Sequence, residues 1–92
     1  MPRLDEKVAV SLQYEGEGAP IVTAKGSGHI AEQILALAEE YQIPIKQDPQ
    51  LTELLSQVEL NQEIPEVLYE AVAQVLAFAF QISEKWPVEK PD

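Results

Sequence analysis

Ile21-Val22-Thr23-Ala24-Lys25-Gly26-Ser27-Gly28 is the stretch on which the fold turns. Its first four residues are a short β-branched run, the signature of a strand. Gly26-Ser27-Gly28 closes that strand and opens a helix, with glycine supplying backbone freedom at the turn. Downstream, Ile30, Ile34, Leu37, Ala38 and Tyr41 recur at three- and four-residue spacing and make one helical face, so a helix is predicted from about Gly28 to Tyr41. Pro44 ends it, because the residue before a proline avoids the α region. Ile43-Pro44-Ile45-Lys46 then reads as a short third strand. A strand–helix–strand unit of this length makes a right-handed crossover between parallel strands.

Working outward, Val8, Val10, Leu12 and Tyr14 alternate with Ala9, Ser11 and Gln13, a period of two that marks a strand with one buried face. The polar turn Glu15-Gly16-Glu17-Gly18 separates it from the next strand. On the other side, Asp48-Pro49 is a helix start: Asp caps, and Pro fits the first turn, where its missing N–H goes unused. The short helix that follows carries Leu51, Leu54, Leu55 and Val58. A polar link, Glu59 to Glu63, leads to a last helix from about Pro65 to Ser83. The expected architecture is a single small α/β (α+β-like) domain over residues 8–83, with a short three-stranded mixed sheet packed with three helices. Residues 1–7 are expected to be a flexible lead, and 84–92 a tail that frays, with Trp86 as its one apolar anchor.

The last helix carries more apolar surface than one core contact needs. At about 100° per residue, Leu68, Val72, Val75, Ala79 and Ile82 form the natural core stripe. Glu70, Gln74, Gln81 and Lys85 form a narrow polar face. Tyr69, Ala73, Leu76 and Phe80 remain as a second apolar stripe. Either other elements wrap the helix and keep both stripes dry, or the second stripe reaches the surface and receives an apolar partner segment. In the second arrangement the small Ala73 leaves a depression between Tyr69, Leu76 and Phe80.

Composition excludes several classes of function. The 92 residues include 6 Lys+Arg against 16 Asp+Glu, a net charge of −10, whereas nucleic-acid binding needs cations for phosphates. An anionic membrane surface would repel the chain in the same way. With 0 Cys there is no disulfide framework, thiolate nucleophile or zinc-ribbon site. No apolar run approaches the roughly 18–20 residues needed to cross a bilayer, and the start Met1-Pro2-Arg3-Leu4-Asp5-Glu6 has no signal-type apolar core.

Catalytic candidates dissolve one by one. The single histidine, His29, has no second imidazole at metal-ligand spacing and reads as an exposed first-turn residue. Gly26-Ser27-Gly28 lacks the Gly-x-x-x-x-Gly-Lys-Ser/Thr spacing of a phosphate loop. Ser11, Ser27, Ser56 and Ser83 have no nucleophile-elbow context, and Glu39-Glu40 and Glu15/Glu17 read as solvated charge. Lys25 reads as a solvated strand end, with a partner contact as the alternative. The expectation is a protein that is no enzyme and has no cofactor and no metal.

The pattern as a whole resembles the cytoplasmic C-terminal domain of the FlhB family, the switch component of flagellar and related type III export machines. The resemblance covers about Val8 to Ile82. It is carried by Ala9-Val10-Ser11-Leu12-Gln13-Tyr14, Ala19-Pro20, Ala24-Lys25-Gly26, Ile43-Pro44-Ile45 and Asp48-Pro49-Gln50-Leu51, and by the run Gln62-Glu63-Ile64-Pro65-Glu66-Val67-Leu68-Tyr69-Glu70-Ala71-Val72-Ala73-Gln74-Val75-Leu76-Ala77. The family carries Asn-Pro-Thr-His just before the strand that here begins at Val8, and cyclisation of that Asn cleaves the chain. This sequence reads Leu4-Asp5-Glu6-Lys7 there, and its only asparagine, Asn61, precedes Gln62. The resemblance therefore implies a membrane-free relative without autocleavage that starts where the family's cleaved fragment starts, and without the strand that precedes the motif.

What the resemblance further implies is a cytoplasmic protein, at times peripheral at the export apparatus, whose partners are gate components and early export substrates. The family's apolar patch for a short hydrophobic substrate signal falls here on Ala19, Pro20, Ala73 and Leu76. With the second stripe, the expected partner-binding set is Ala19, Pro20, Tyr69, Ala73, Leu76 and Phe80. A self-associating accessory domain unrelated to export is the alternative, because an unpaired sheet edge invites pairing. A monomer or weak dimer is expected.

Overall fold

The computed structural model describes residues 7–83. The expected tail with Trp86, the lead up to Glu6 and the side chain of Ile82 lie outside the described residues. In chain order the elements are β1 (Val8–Gln13), β2 (Ile21–Ser27), α1 (His29–Glu40), α2 (Pro49–Leu55), a single 3-10 turn (Glu66–Leu68) and α3 (Tyr69–Ser83).

β1 and β2 form an antiparallel hairpin around the glycine turn, in which Gly16 (φ 91°) and Gly18 (φ 74°) both occupy the left-handed region. Val8 pairs with Ser27, Ala9 with Gly26, Val10 with Lys25 and Ser11 with Ala24. Leu12 pairs with Val22, so Thr23 is the extra residue of a bulge, and its hydroxyl donates to Ser11, 3.1 Å from the Ser11 hydroxyl oxygen and 3.3 Å from its carbonyl. Cross-strand partners share a face. One face carries Val10, Leu12, Val22 and Lys25, and the other Ala9, Ser11, Ala24 and Gly26.

The first face holds the main core: Val22, Leu51, Leu55, Ile64, Leu68 and Val72 are buried together, with Val10, Leu12, Ala19, Val58, Val75 and Leu76 packed around them. α2 and α3 supply the helical half of this cluster. α2 begins as the sequence predicts, with Asp48 accepting from the Leu51 N–H at 3.1 Å and Pro49 in the first turn. The small residues of the second face let α1 approach closely. A Cβ at Gly26 would sit 2.6 Å from Ile30 Cβ, so only glycine fits beneath that helix.

One expectation needs correction. The described residues hold a two-stranded antiparallel sheet, not a three-stranded mixed one. Ile43-Pro44-Ile45-Lys46 forms no strand, and its first two positions have no donor to offer a sheet. The Ile43 N–H closes the end of α1 on Ala38 O at 2.7 Å, and Pro44 has no N–H. The helix terminates in a Schellman arrangement, with Gln42 in the left-handed region (φ 59°) and its N–H on Glu39 O at 3.1 Å.

The apolar face read on α1 is present but mostly not buried: Ile30, Leu37 and Tyr41 are 51%, 53% and 67% exposed, and Ala31 is the buried residue of the helix. Two strands about 4.8 Å apart cover little more than the line along which a helix of roughly 10 Å diameter touches them. The flanks of the stripe overhang the sheet. On α3 the first stripe behaves as expected: Leu68, Val72 and Ala79 are buried and Val75 is half-buried.

Candidate interaction groove

The link before α3 fixes where that helix lies. Asn61, in the left-handed region at φ 66°, donates its N–H to Val22 O at 2.7 Å. Val22 N–H donates to Gln62 O at 3.1 Å, and Ile64 N–H donates to Pro20 O at 3.0 Å. These bonds seat residues 61–64 against the outer edge of β2 and bring the start of α3 beside the glycine turn.

A depression of about 140 Å³ results, lined by Tyr14, Gly18, Pro20, Tyr69, Val72, Ala73 and Leu76. Val72 is 0% exposed, whereas Tyr69 is 45% exposed and Ala73 is also exposed. The second stripe of α3 thus reaches the surface over Tyr69 and Ala73. Four of the six residues singled out from sequence, Pro20, Tyr69, Ala73 and Leu76, converge on this groove. Ala19 does not line it, being half-buried against the core. Phe80 is 58% exposed, one turn beyond Leu76, and stands outside it.

Tyr14, Gly18 and Val72 complete the walls, and sequence reasoning missed them. Tyr14 continues the alternation of β1, and Val72 belongs to the core stripe of α3. Gly18 gave a signal in the turn Glu15-Gly16-Glu17-Gly18, but only as a bend and not as a wall. The groove's chemistry is that of an apolar receptor: no Asp, Glu, His, Lys or Arg side chain lines it.

Lys25 is the other correction at this level. Its ammonium is not a solvated strand end, because Nζ donates to Ser56 O at 2.9 Å and Val58 O at 2.6 Å. It crosses from β2 to the carbonyls at the end of α2, where a cation is electrostatically favoured. A wider depression of about 360 Å³ lies at that end, lined by Val8, Lys25, Gly26, Ser27 and Ser56, but its one charged group is already committed. His29 is exposed, with Nδ1 3.6 Å from Glu32 Oε1. Among the described residues, no three His, Cys, Asp or Glu side chains are grouped to hold a metal, and no helix is long and apolar enough to cross a membrane.

Comparison with known proteins places these features in context. The model of the FlhB HrpN YscU SpaS family matches residues 6–79. The uncharacterized protein YlqH of Bacillus subtilis is 38% identical over 78 residues, 83% of this chain and 84% of that protein. The flagellar biosynthetic protein FlhB of Aquifex aeolicus is 42% identical over 74 residues, which are 77% of this chain but only 21% of the relative. The crystal structure of the cytoplasmic domain of FlhB from Shewanella putrefaciens superposes with a TM-score of 0.78 at 37% identity, covering 91% of this chain and 71% of that one.

Proposed function

The chain belongs to the FlhB HrpN YscU SpaS family, and from that premise we propose that it is a non-enzymatic interaction module of flagellar or related type III protein export. In this reading it acts on the cytoplasmic side of the export machine and binds export substrates or gate components through an apolar segment of the partner. The observation that carries the reading is the groove where Pro20 of the turn meets Tyr69, Ala73 and Leu76 of α3. Ala73 is its key position, since a small side chain there leaves room for an incoming one. Ala19 borders the groove through the turn, and Phe80 extends the apolar surface along α3.

The test is a pull-down of export-gate components and early substrates by the wild-type chain and by Ala73→Asp. Ala73 is exposed, so the variant is expected to keep its thermal midpoint while losing the partner. Undiminished capture by a folded Ala73→Asp protein overturns the groove reading.

A second reading, self-association outside export, is favoured by one observation. No strand lies beside the outer edge of β1 among the described residues, and such edges are templates for pairing. Light scattering separates the two: a monomer at high concentration ends the second reading.

A further inference from the structure

We propose that the groove selects segments whose apolar residue is flanked by lysine or arginine, an inference that rests on the groove being the docking site. The argument is one of charge complementarity. Exposed Glu63 stands at the groove itself: its Oε2 lies 3.9 Å from where a Cβ on Gly18 would stand. Along the chain, exposed Glu17 lies between the two turn glycines and exposed Glu66 and Glu70 bracket Tyr69, whereas Glu15 accepts from Gln13 Nε2 at 2.8 Å.

Among the described residues, no Lys or Arg side chain lines the groove. Lys25 is bound to the end of α2. Lys46 sits 5.6 Å from the ring centroid of Phe78, which lies about 140° round the helix from Ala73. Glu66 and Glu70 also complement the start of their helix. A wall of apolar side chains beside charges of one sign holds an apolar group and attracts opposite charge next to it. A second copy of the chain is a poor occupant, since it would bring the same carboxylates to the same place.

The test uses the full chain and dye-labelled peptides of about ten residues that share a central Val-Leu pair and differ in its neighbours: two Lys, two Ser or two Glu. Exposed ion pairs each shift an equilibrium roughly 1.5- to 5-fold, so the Lys-flanked peptide is expected to bind about tenfold tighter than the Ser-flanked one at about 0.05 M salt. That advantage should shrink to about twofold at about 0.5 M salt. Glu17→Gln with Glu63→Gln, two exposed side chains, should remove most of it without changing affinity for the Ser-flanked peptide. If all three peptides bind alike and Ala73→Asp abolishes binding, charge selection is overturned and the groove reading survives. If none binds, both fall.

Discussion

Gly26 has an ordinary strand backbone, so what it supplies is space. Ile30 Cβ would lie 2.6 Å from an added methyl, and that atom belongs to the helical frame rather than to a flexible side-chain end. Gly26→Ala is therefore expected to lower stability by about 1–3 kcal/mol in urea unfolding, and Ile30→Ala, which keeps that Cβ, is expected to leave the clash in place in the double variant. Gln42 is the opposite case. It holds φ 59° at the end of α1, where glycine avoids the Cβ penalty. Gln42→Gly is expected to raise stability by about 0.5–1 kcal/mol, read as a higher denaturant midpoint at an unchanged slope. Neither role was legible in the sequence. Gly26 sat in a run that reads as a turn, yet β2 continues through it to Ser27. Pro44 accounted for the helix end without revealing which residue turns left-handed.

At the scale of elements, helix type and placement were legible, and burial was legible on α3 but not on α1. The spacing of apolar residues on α1 identified a helix and its apolar side, but three of those residues remain more than half exposed because the sheet beneath is two strands wide. Asp48 is the reverse: its cap is a local interaction, read in sequence and realised within three residues. Lys25 joins two elements through charge-assisted hydrogen bonds to backbone carbonyls. Lys25→Met keeps the aliphatic stem and removes both bonds, so it is expected to cost about 1–2 kcal/mol. Faster amide exchange should then appear first in α2 and the segment after it, and unchanged exchange there would show that the helix docks without the lysine.

For the whole molecule, the family's self-cleavage needs an asparagine followed by proline. The one asparagine here, Asn61, precedes Gln62 and has its N–H committed to Val22 O. The purified chain is expected to keep a single intact mass after prolonged incubation at neutral pH, and a pair of complementary fragments would contradict this. The net charge of −10 takes on a more definite meaning at this scale, because Glu63 stands beside Gly18 of the apolar groove and Glu17, Glu66 and Glu70 neighbour its lining residues along the chain. The sequence by itself determined the family, the hairpin turn, the three helices and the surplus apolar stripe of α3, since each is a matter of residue type and local period along one backbone. Tertiary structure alone decided that Ile43–Lys46 stays out of the sheet, that α1 overhangs it, that Lys25 is engaged, and that Tyr14, Gly18 and Pro20 meet Tyr69, Ala73 and Leu76. The groove depends on residues some fifty positions apart, brought together by the docking of residues 61–64 on β2, and Lys25 on carbonyls 31 and 33 positions further on, neither of which a local pattern announces.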